Sequence, residues 1–159
     1  MDSRKMADTG GRRNEKPLTE EQYKEAKRYA VALGMPDGRI RYDEFANTYY
    51  IGGDFDCLSI GTYVLPLSGR STNPNDNISL KGTIAHEIVG HREAGLKNRA
   101  FGGKQKPLDE AQASIRAARF APDLNGVERR DLLRDGIMRL KSAGIALRSV
   151  KKLLFIEER

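Results

Sequence analysis

The stretch His86-Glu87-Ile88-Val89-Gly90-His91 contains the only two histidines of the 159-residue chain, and a glutamate directly follows the first of them. Two imidazoles with an adjacent carboxylate are typical of zinc sites in which the carboxylate serves as a general base. The stretch therefore predicts a metal centre.

The spacing of the two histidines requires a distorted helix. In the common pattern H-E-x-x-H the histidines are four positions apart, which is about 40° around an ideal α-helix. Here they are five positions apart, about 140°, too wide for both imidazoles to reach one ion at about 2.0–2.1 Å. A π-bulge accommodates one extra residue, and Gly90 permits the distortion at little steric cost. We predict a widened turn around Gly90; the alternative is that the motif is accidental.

The residues around the motif predict a mostly buried helix. Apolar side chains recur close to the helical period, at Leu80, Ile84, Ile88 and Val89. Ser79 is the predicted N-cap, and Gly95 is the predicted residue at which the helix ends.

Composition predicts one soluble domain, with 38% apolar residues and no segment long enough to span a bilayer. The single cysteine, Cys57, excludes an internal disulfide and a Cys₄ or Cys₂His₂ zinc site, and we expect it to be buried and inert. Residues 1–16 are polar and lack the apolar region of a secretory signal peptide, so we expect a disordered or linker segment. The domain is predicted to cover residues 17–159.

The net charge of +6 raises the question of nucleic-acid binding. The basic residues of the C-terminal third, including Arg139, alternate with acids such as Asp131 and Asp135, as on a solvated helix face. No aromatic residues alternate with them, as base stacking would require. Nucleic acid is therefore the less favoured partner. A non-catalytic basic binding module, with both histidines packed in a helix, stays the alternative.

The first half of the chain predicts one helix and a small sheet. Thr19-Glu20-Glu21-Gln22 matches a capping box, and the helix that it starts should end near Gly34. Short β-branched and aromatic runs then predict a small antiparallel sheet, with strands at residues 39–42, 48–51, 58–60 and 62–65.

The second half predicts the loop and helices that surround the motif. Residues 68–77 are dense in turn formers and lead into the histidine helix, so this loop should overhang the metal. Helices are predicted at residues 108–120 and 127–143, followed by a final helix or strand over 145–159. Together with the small sheet packed on the histidine helix, these elements predict an α+β domain.

A third metal ligand is expected from a carboxylate. A catalytic zinc ion needs three protein ligands and one open position, and the chain has no third histidine. Asp109 and Glu110 lie in the first turn of the helix at 108–120, whose small residues allow close packing. Glu110 is preferred because it shares the face of Ala113 and Ala117. Asp109 is the alternative, since a first-turn acid can simply stabilise the helix N-terminus.

Glu87 is the candidate general base. Next to a ligand but facing the open position, it could take a proton from water and deliver it to a leaving amine, which is the chemistry of amide hydrolysis. Glu93 should point away from the site. The candidates for stabilising the oxyanion are four side chains among which the sequence does not choose, Tyr49, Tyr50, Tyr63 and Arg92.

The motif resembles H-E-L-L-G-H of dipeptidyl-peptidase III, a zinc enzyme that is far larger and matches only in these six residues. The wider context is similar to the zincin-type (gluzincin, HExxxH) metallopeptidase domains of bacterial polymorphic toxins, including Rhs-type effectors. That resemblance covers roughly residues 19–140 and is carried by residues 58–66, 73–75, 85–94 and 110–114. It implies zinc bound by His86, His91 and Glu110, with Glu87 catalytic.

The same resemblance implies a biological role. It implies a protein or peptide substrate, a cognate immunity protein as a partner, and export by a specialised secretion system into a target-cell cytoplasm. A zinc hydrolase of non-peptide amide bonds is a further alternative, because function depends on the substrate groove and not on the fold.

Overall fold

A computed structural model describes residues 13–45, 47–101 and 103–159 of the chain. The helices are α1 (Glu20–Ala32), α2 (Pro74–Asn77), α3 (Leu80–Ala85), α4 (Glu93–Leu96), α5 (Lys106–Phe120), α6 (Gly126–Ser142) and α7 (Leu147–Val150). The strands are β1 (Ile40–Tyr42), β2 (Tyr49–Ile51) and β3 (Cys57–Ile60). A π-helix, His86–Arg92, joins α3 to α4 without a break. The predicted α+β class and the C-terminal helices are confirmed.

Local signals set the start of α1. The Thr19 hydroxyl accepts from the Gln22 backbone N–H at 3.1 Å, and the Gln22 side chain accepts from the Thr19 N–H at 2.9 Å. This reciprocal pair satisfies two amide donors at the helix end, as the predicted capping box requires.

The sheet is mixed rather than purely antiparallel. Its strand order is β1-β3-β2; β2 pairs with β3 antiparallel, as predicted, but β1 pairs with β3 parallel. The chain passes from β1 to the far edge before it returns through the centre, and alternation along short strands does not specify that direction. The predicted strand at residues 62–65 is wrong, because Thr62–Val64 forms a single 3₁₀ turn. Cys57 at the start of β3 is only partly buried.

The motif helix, which we define as residues 80–96, lies in the centre of the main core. Ile84, Ile88 and Val89 are fully buried, and they share this core with Leu58 and Ile60 of β3. Burial of each such side chain contributes about 1.5–3 kcal/mol, so the apolar stripe fixes the rotation of the motif helix. His86 and His91 are thereby directed towards α5.

The predicted start of the motif helix is confirmed, and its predicted end is wrong. The Ser79 hydroxyl accepts from the Gly82 N–H at 3.0 Å, so the predicted N-cap is confirmed. The predicted end at Gly95 is wrong. The helix continues through Leu96, and Asn98 adopts the left-handed conformation that follows it, with φ of 56°.

The C-terminal segment forms little regular structure. The helix or strand predicted over 145–159 is reduced to α7, and Leu154 and Ile156 are buried against α5 and α6. Side chains of α5 accordingly donate to the carbonyls of this segment: Gln112 donates to Leu154 O at 2.9 Å, and Arg119 donates to Ile156 O at 2.8 Å.

Among the helices of the described residues, none has the length and apolar character needed to cross a membrane.

The segment predicted to be disordered, residues 1–16, lies mostly outside the described residues. Its end is part of the fold, because Arg13 is buried and donates to the carbonyls of Tyr63 at 2.7 Å and Ile78 at 2.9 Å. It also donates to the Thr83 hydroxyl at 2.8 Å and to the carbonyl of Asn75. Arg13 therefore ties the chain on both sides of α2 to the start of the motif helix.

Candidate metal centre

The π-helix brings the two histidines together. In a π-helix the hydrogen bonds join residues five apart, which is the separation of His86 and His91. Their ring centroids are 4.8 Å apart, and the ring planes meet edge to face at 81°. The widened turn predicted around Gly90 is confirmed.

Gly90 is required for close packing rather than for backbone freedom. A Cβ atom added at this residue would lie 2.5 Å from both Cα and O of Ala113 on α5. That distance is shorter than real Cβ contacts, so only glycine allows the two helices to approach this closely. The small buried residues of α5, which include Ala113 and Ala117, complete the contact. The approach places the first turns of α5 beside the histidines.

Glu110 closes the cluster from α5. Its Oε2 is 3.1 Å from Nε2 of His86, and its Oε1 is 3.2 Å from Nε2 of His91. One ligand atom from each of these three residues lies within 4.8 Å of the others, so the group could hold a metal ion. Asp109, the alternative carboxylate, is 3.5 Å from Nδ1 of His91 and accepts from the Phe101 N–H at 3.2 Å.

The cluster strongly favours positive charge. Burial by itself lowers the pKa of His91, but the carboxylates of Glu110, Glu87 and Asp109 outweigh burial and raise that pKa to about 9. Burial likewise opposes ionisation of Glu110, yet the histidines hold its pKa well below the ordinary value. Two imidazoles and an ionised carboxylate form a donor set suited to zinc.

Glu87 lies on the π-helix beside His86 and is buried, with 7% of its surface exposed. Its Oε2 has no hydrogen-bond partner among the described residues. Burial raises the pKa of this carboxyl, while His91 and His86 lower it in part. A carboxyl group with a raised pKa and one oxygen without a partner among the described residues is suited to take up and release a proton.

The four predicted oxyanion candidates have their side chains engaged elsewhere. The Tyr50 hydroxyl and Arg92 both donate to Asp56, at 2.5 and 2.8 Å, and the Tyr49 hydroxyl accepts from Arg41 at 2.9 Å. The Tyr63 hydroxyl is 3.4 Å from Glu15. Glu93, expected to point away, pairs with Arg159 at 2.9 Å.

A cavity of about 590 Å³ adjoins Glu110. Three of its lining residues, Thr72, Asn73 and Asn75, belong to the segment 68–77 that was predicted to overhang the metal. The remaining lining residues come from α5 and α6, namely Lys106, Pro107, Asp135, Met138, Arg139 and Ser142. The cavity is therefore an open space of substrate size that reaches one member of the cluster.

The contribution of α6 to the site was not predicted from the sequence. Asp135 and Arg139 were assigned to a solvated face, but the Asp135 side chain is 5% exposed and the Arg139 side chain 18%. Arg139 Nε donates to Asp135 at 2.9 Å, and its Nη1 is 3.9 Å from Glu110. The sequence contains one signal of this burial. Leu132 and Gly136 are apolar or small and lie one turn apart, which indicates a packed face of α6, and Asp135 directly precedes Gly136.

Comparisons with known proteins yield no match: no family model, no curated protein and no solved structure is significantly similar to this chain. The resemblance to zincin-type toxin domains therefore stays a prediction from the residues quoted for it. A function for the site is therefore inferred from the geometry and the chemistry of its own residues.

Proposed function

We propose that this protein is a zinc-dependent metallopeptidase in which His86, His91 and Glu110 hold the ion and Glu87 is the general base. The observation that carries the proposal is the convergence of three donors from the π-helix and α5, beside a buried carboxylate with one oxygen that has no hydrogen-bond partner in the described part of the chain. Structural histidines packed in a helix would not require a carboxylate from a second helix between both rings.

The donor set fits a catalytic zinc ion. Two imidazoles and one glutamate are the ligands of a known class of catalytic zinc site, which leaves a position open for water or substrate. When bound, zinc supplies a water of pKa about 7 and polarises the substrate carbonyl. The partly buried carboxylate of Glu110 and the buried carboxylate of Glu87 provide the negative charge that a divalent cation requires.

Glu87 moves the proton in this proposal. Its Oε2 accepts a proton from the attacking water and delivers it to the departing amine nitrogen. The raised pKa makes the carboxylate of Glu87 a stronger base than an exposed glutamate, and burial keeps bulk water from competing for the oxygen. The cavity next to Glu110 provides room for the chain on one side of the cleaved bond.

The test compares Glu87→Gln with Glu93→Gln. Both substitutions neutralise a glutamate of the motif helix, but Glu93 pairs with Arg159 away from the cluster. We expect Glu87→Gln to retain zinc and to lose about 10²–10⁴-fold in the rate of peptide hydrolysis, while Glu93→Gln stays near wild type. A zinc-loaded wild type that cleaves non-peptide amides but no protein or peptide contradicts the substrate class. Full activity in Glu87→Gln contradicts the base.

The toxin role is a second part of the proposal and is supported only by the sequence resemblance. It includes export, action in a target-cell cytoplasm and a cognate immunity protein. The test is expression in a bacterial cytoplasm, where wild type should arrest growth and Glu87→Gln should not. Equal growth of both strains at equal protein levels contradicts the toxin role and leaves the peptidase to be judged by its hydrolysis.

A further inference from the structure

Beyond the ligands themselves, the geometry points to a relay that fixes His86: we propose that Ser114 and Asp135 hold its imidazole in the tautomer that binds metal through Nε2. Ser114 Oγ is 2.8 Å from Nδ1 of His86 and 2.6 Å from Oδ2 of Asp135. The relay joins the π-helix, α5 and α6, and it rests on the proposed metal site.

The direction of each hydrogen bond follows from counting protons. A carboxylate only accepts, so the single hydroxyl proton of Ser114 must be donated to Asp135. The Ser114 oxygen then accepts, which requires a proton on Nδ1 of His86. With Nδ1 protonated, the neutral imidazole has its lone pair on Nε2, the nitrogen that lies 3.1 Å from Glu110. The relay therefore directs the donor nitrogen towards the other two ligands.

Asp135 is itself held in place. Oδ2 of Asp135 also accepts from Arg139 Nε at 2.9 Å, and the Asp135 side chain is 5% exposed. The helices that carry Ser114 and Asp135 meet closely at Gly136, where an added Cβ would lie 2.6 Å from Cγ1 of Ile115. Because Ser114 is fully buried and each of its two bonds has one possible direction, the imidazole has little freedom to rotate.

One turn earlier, α6 offers a natural comparison. Asp131 is as buried as Asp135, at 3% exposed, and is also paired with an arginine. Its partner is Arg70, which donates to both carboxylate oxygens at 2.7 and 3.0 Å. Asp131 and Asp135 therefore lie on the same helix, are equally buried and each pair with an arginine. Only Asp135 is connected to a candidate metal ligand, because Ser114 links it to His86.

The experiment measures the zinc affinity of purified protein by competition with a chelating indicator, alongside the thermal stability of the metal-free protein. We expect Ser114→Ala, which removes only a buried hydroxyl, to weaken zinc binding about 10–100-fold. Asp135→Asn should weaken zinc binding by less than Ser114→Ala does. The neutral amide oxygen of asparagine still accepts the hydrogen bond from Ser114, although that bond is weaker than the bond to a carboxylate. Asp131→Asn should change the affinity less than twofold, although it costs stability.

The outcomes separate the relay from the metal site. If wild type binds zinc and Ser114→Ala binds it equally well, the relay is wrong while the proposed function stands. If Asp131→Asn weakens zinc binding as much as Asp135→Asn does, the effect is general destabilisation and the relay is wrong as well. If wild type binds no zinc, the proposed function and the relay fail together.

Discussion

Two regions of this molecule differ strongly in how closely they are packed. The site region, made of the π-helix, α5 and α6, has backbones so close that a Cβ at Gly90 would overlap Ala113. Its polar side chains are buried or partly buried, and hydrogen bonds and ion pairs connect them. The sheet region, which we define as residues 40–45 and 47–60, has strands of three and four residues. It also leaves Phe45 78% exposed and Phe55 69% exposed.

The contrast indicates where precision is needed. A metal cluster requires ligand atoms to be placed within fractions of an ångström, which only closely packed helices provide. The sheet region needs only to cover one face of the motif helix, and short strands with exposed aromatic residues are sufficient for that. Substitutions should therefore be costly in the site region and mild at the exposed positions of the sheet region, whereas its core residues Leu58 and Ile60 are an exception.

The largest expected effect is that of Gly90→Ala. The added methyl group meets the backbone of Ala113 and cannot be accommodated by a side-chain rotation, so the helices must separate. We expect a loss of about 3 kcal/mol in the free energy of unfolding, measured by urea titration. Because Glu110 moves with α5, zinc binding should be lost as well.

Gly95→Ala is the matched control. Gly95 lies in α4 of the same motif helix, and an added Cβ there has no atom within 4 Å among the described residues. Alanine at that position should stabilise the helix by about 0.5 kcal/mol and leave zinc binding unchanged. If Gly90→Ala behaves like Gly95→Ala, the close approach is not what sets the site.

The next largest effect is expected for Arg13→Met, which tests the polar network at the start of the motif helix. The substitution removes the hydrogen bonds that Arg13 donates to the carbonyls of Tyr63 and Ile78 in a buried environment. We expect a loss of about 2–3 kcal/mol in the free energy of unfolding. Arg28→Met, at an exposed position of α1, should change it by less than about 0.5 kcal/mol. Equal urea midpoints for the two variants would show that the hydrogen bonds of Arg13 do not stabilise the fold.

What the sequence predicted follows the same division. The capping box at Thr19, the N-cap at Ser79 and the widened turn at Gly90 depend on residues within one or two helical turns, and all three predictions are confirmed. The parallel pairing of β1 with β3 depends on the path of the chain between them and was missed.

The contribution of α6 to the candidate site was missed for a related reason. Alternating charges made Asp135 and Arg139 resemble a solvated face, whereas Gly136 lets that face approach α5. The assignment of the histidines and of Glu110 to a metal, and of Glu87 to proton transfer, stays a prediction.

A smaller effect is expected where the two regions meet. Asp56 precedes β3 and pairs with Arg92, the last residue of the π-helix, at 2.8 Å. Asp56→Asn should cost about 1 kcal/mol, since asparagine tolerates the positive φ of 38° but forms no ion pair. A loss above about 3 kcal/mol would show that the sheet region is built as precisely as the site.

The same variant has a pH signature. A hydrogen bond from Arg92 lowers the pKa of Asp56 below its ordinary value of 3.8. The pair therefore stabilises the fold above that pH, and the stabilisation is lost as the pH falls through the folded-state pKa. Between neutral pH and pH 3 the free energy of unfolding should fall less in Asp56→Asn than in wild type, and parallel curves would contradict the pairing.

The smallest effect is expected for Phe45→Ser in the sheet region. Phe45 is the most exposed large apolar side chain of the described residues, so little buried surface is lost. We expect the free energy of unfolding to change by less than about 0.5 kcal/mol, with zinc binding unchanged. A larger destabilisation would mean that Phe45 is covered in solution.

The most direct test of the proposed metal centre is the zinc content per chain, determined by elemental analysis after equilibration with zinc and removal of the excess. We expect about one zinc ion per wild-type chain. The zinc content should fall clearly in three variants that circular dichroism shows to be folded, His86→Ala, His91→Ala and Glu110→Ala. Asp109→Ala should retain most of the metal. A wild-type protein without stoichiometric zinc at neutral pH, or a Glu110→Ala variant that binds as tightly as wild type, would contradict the proposed site.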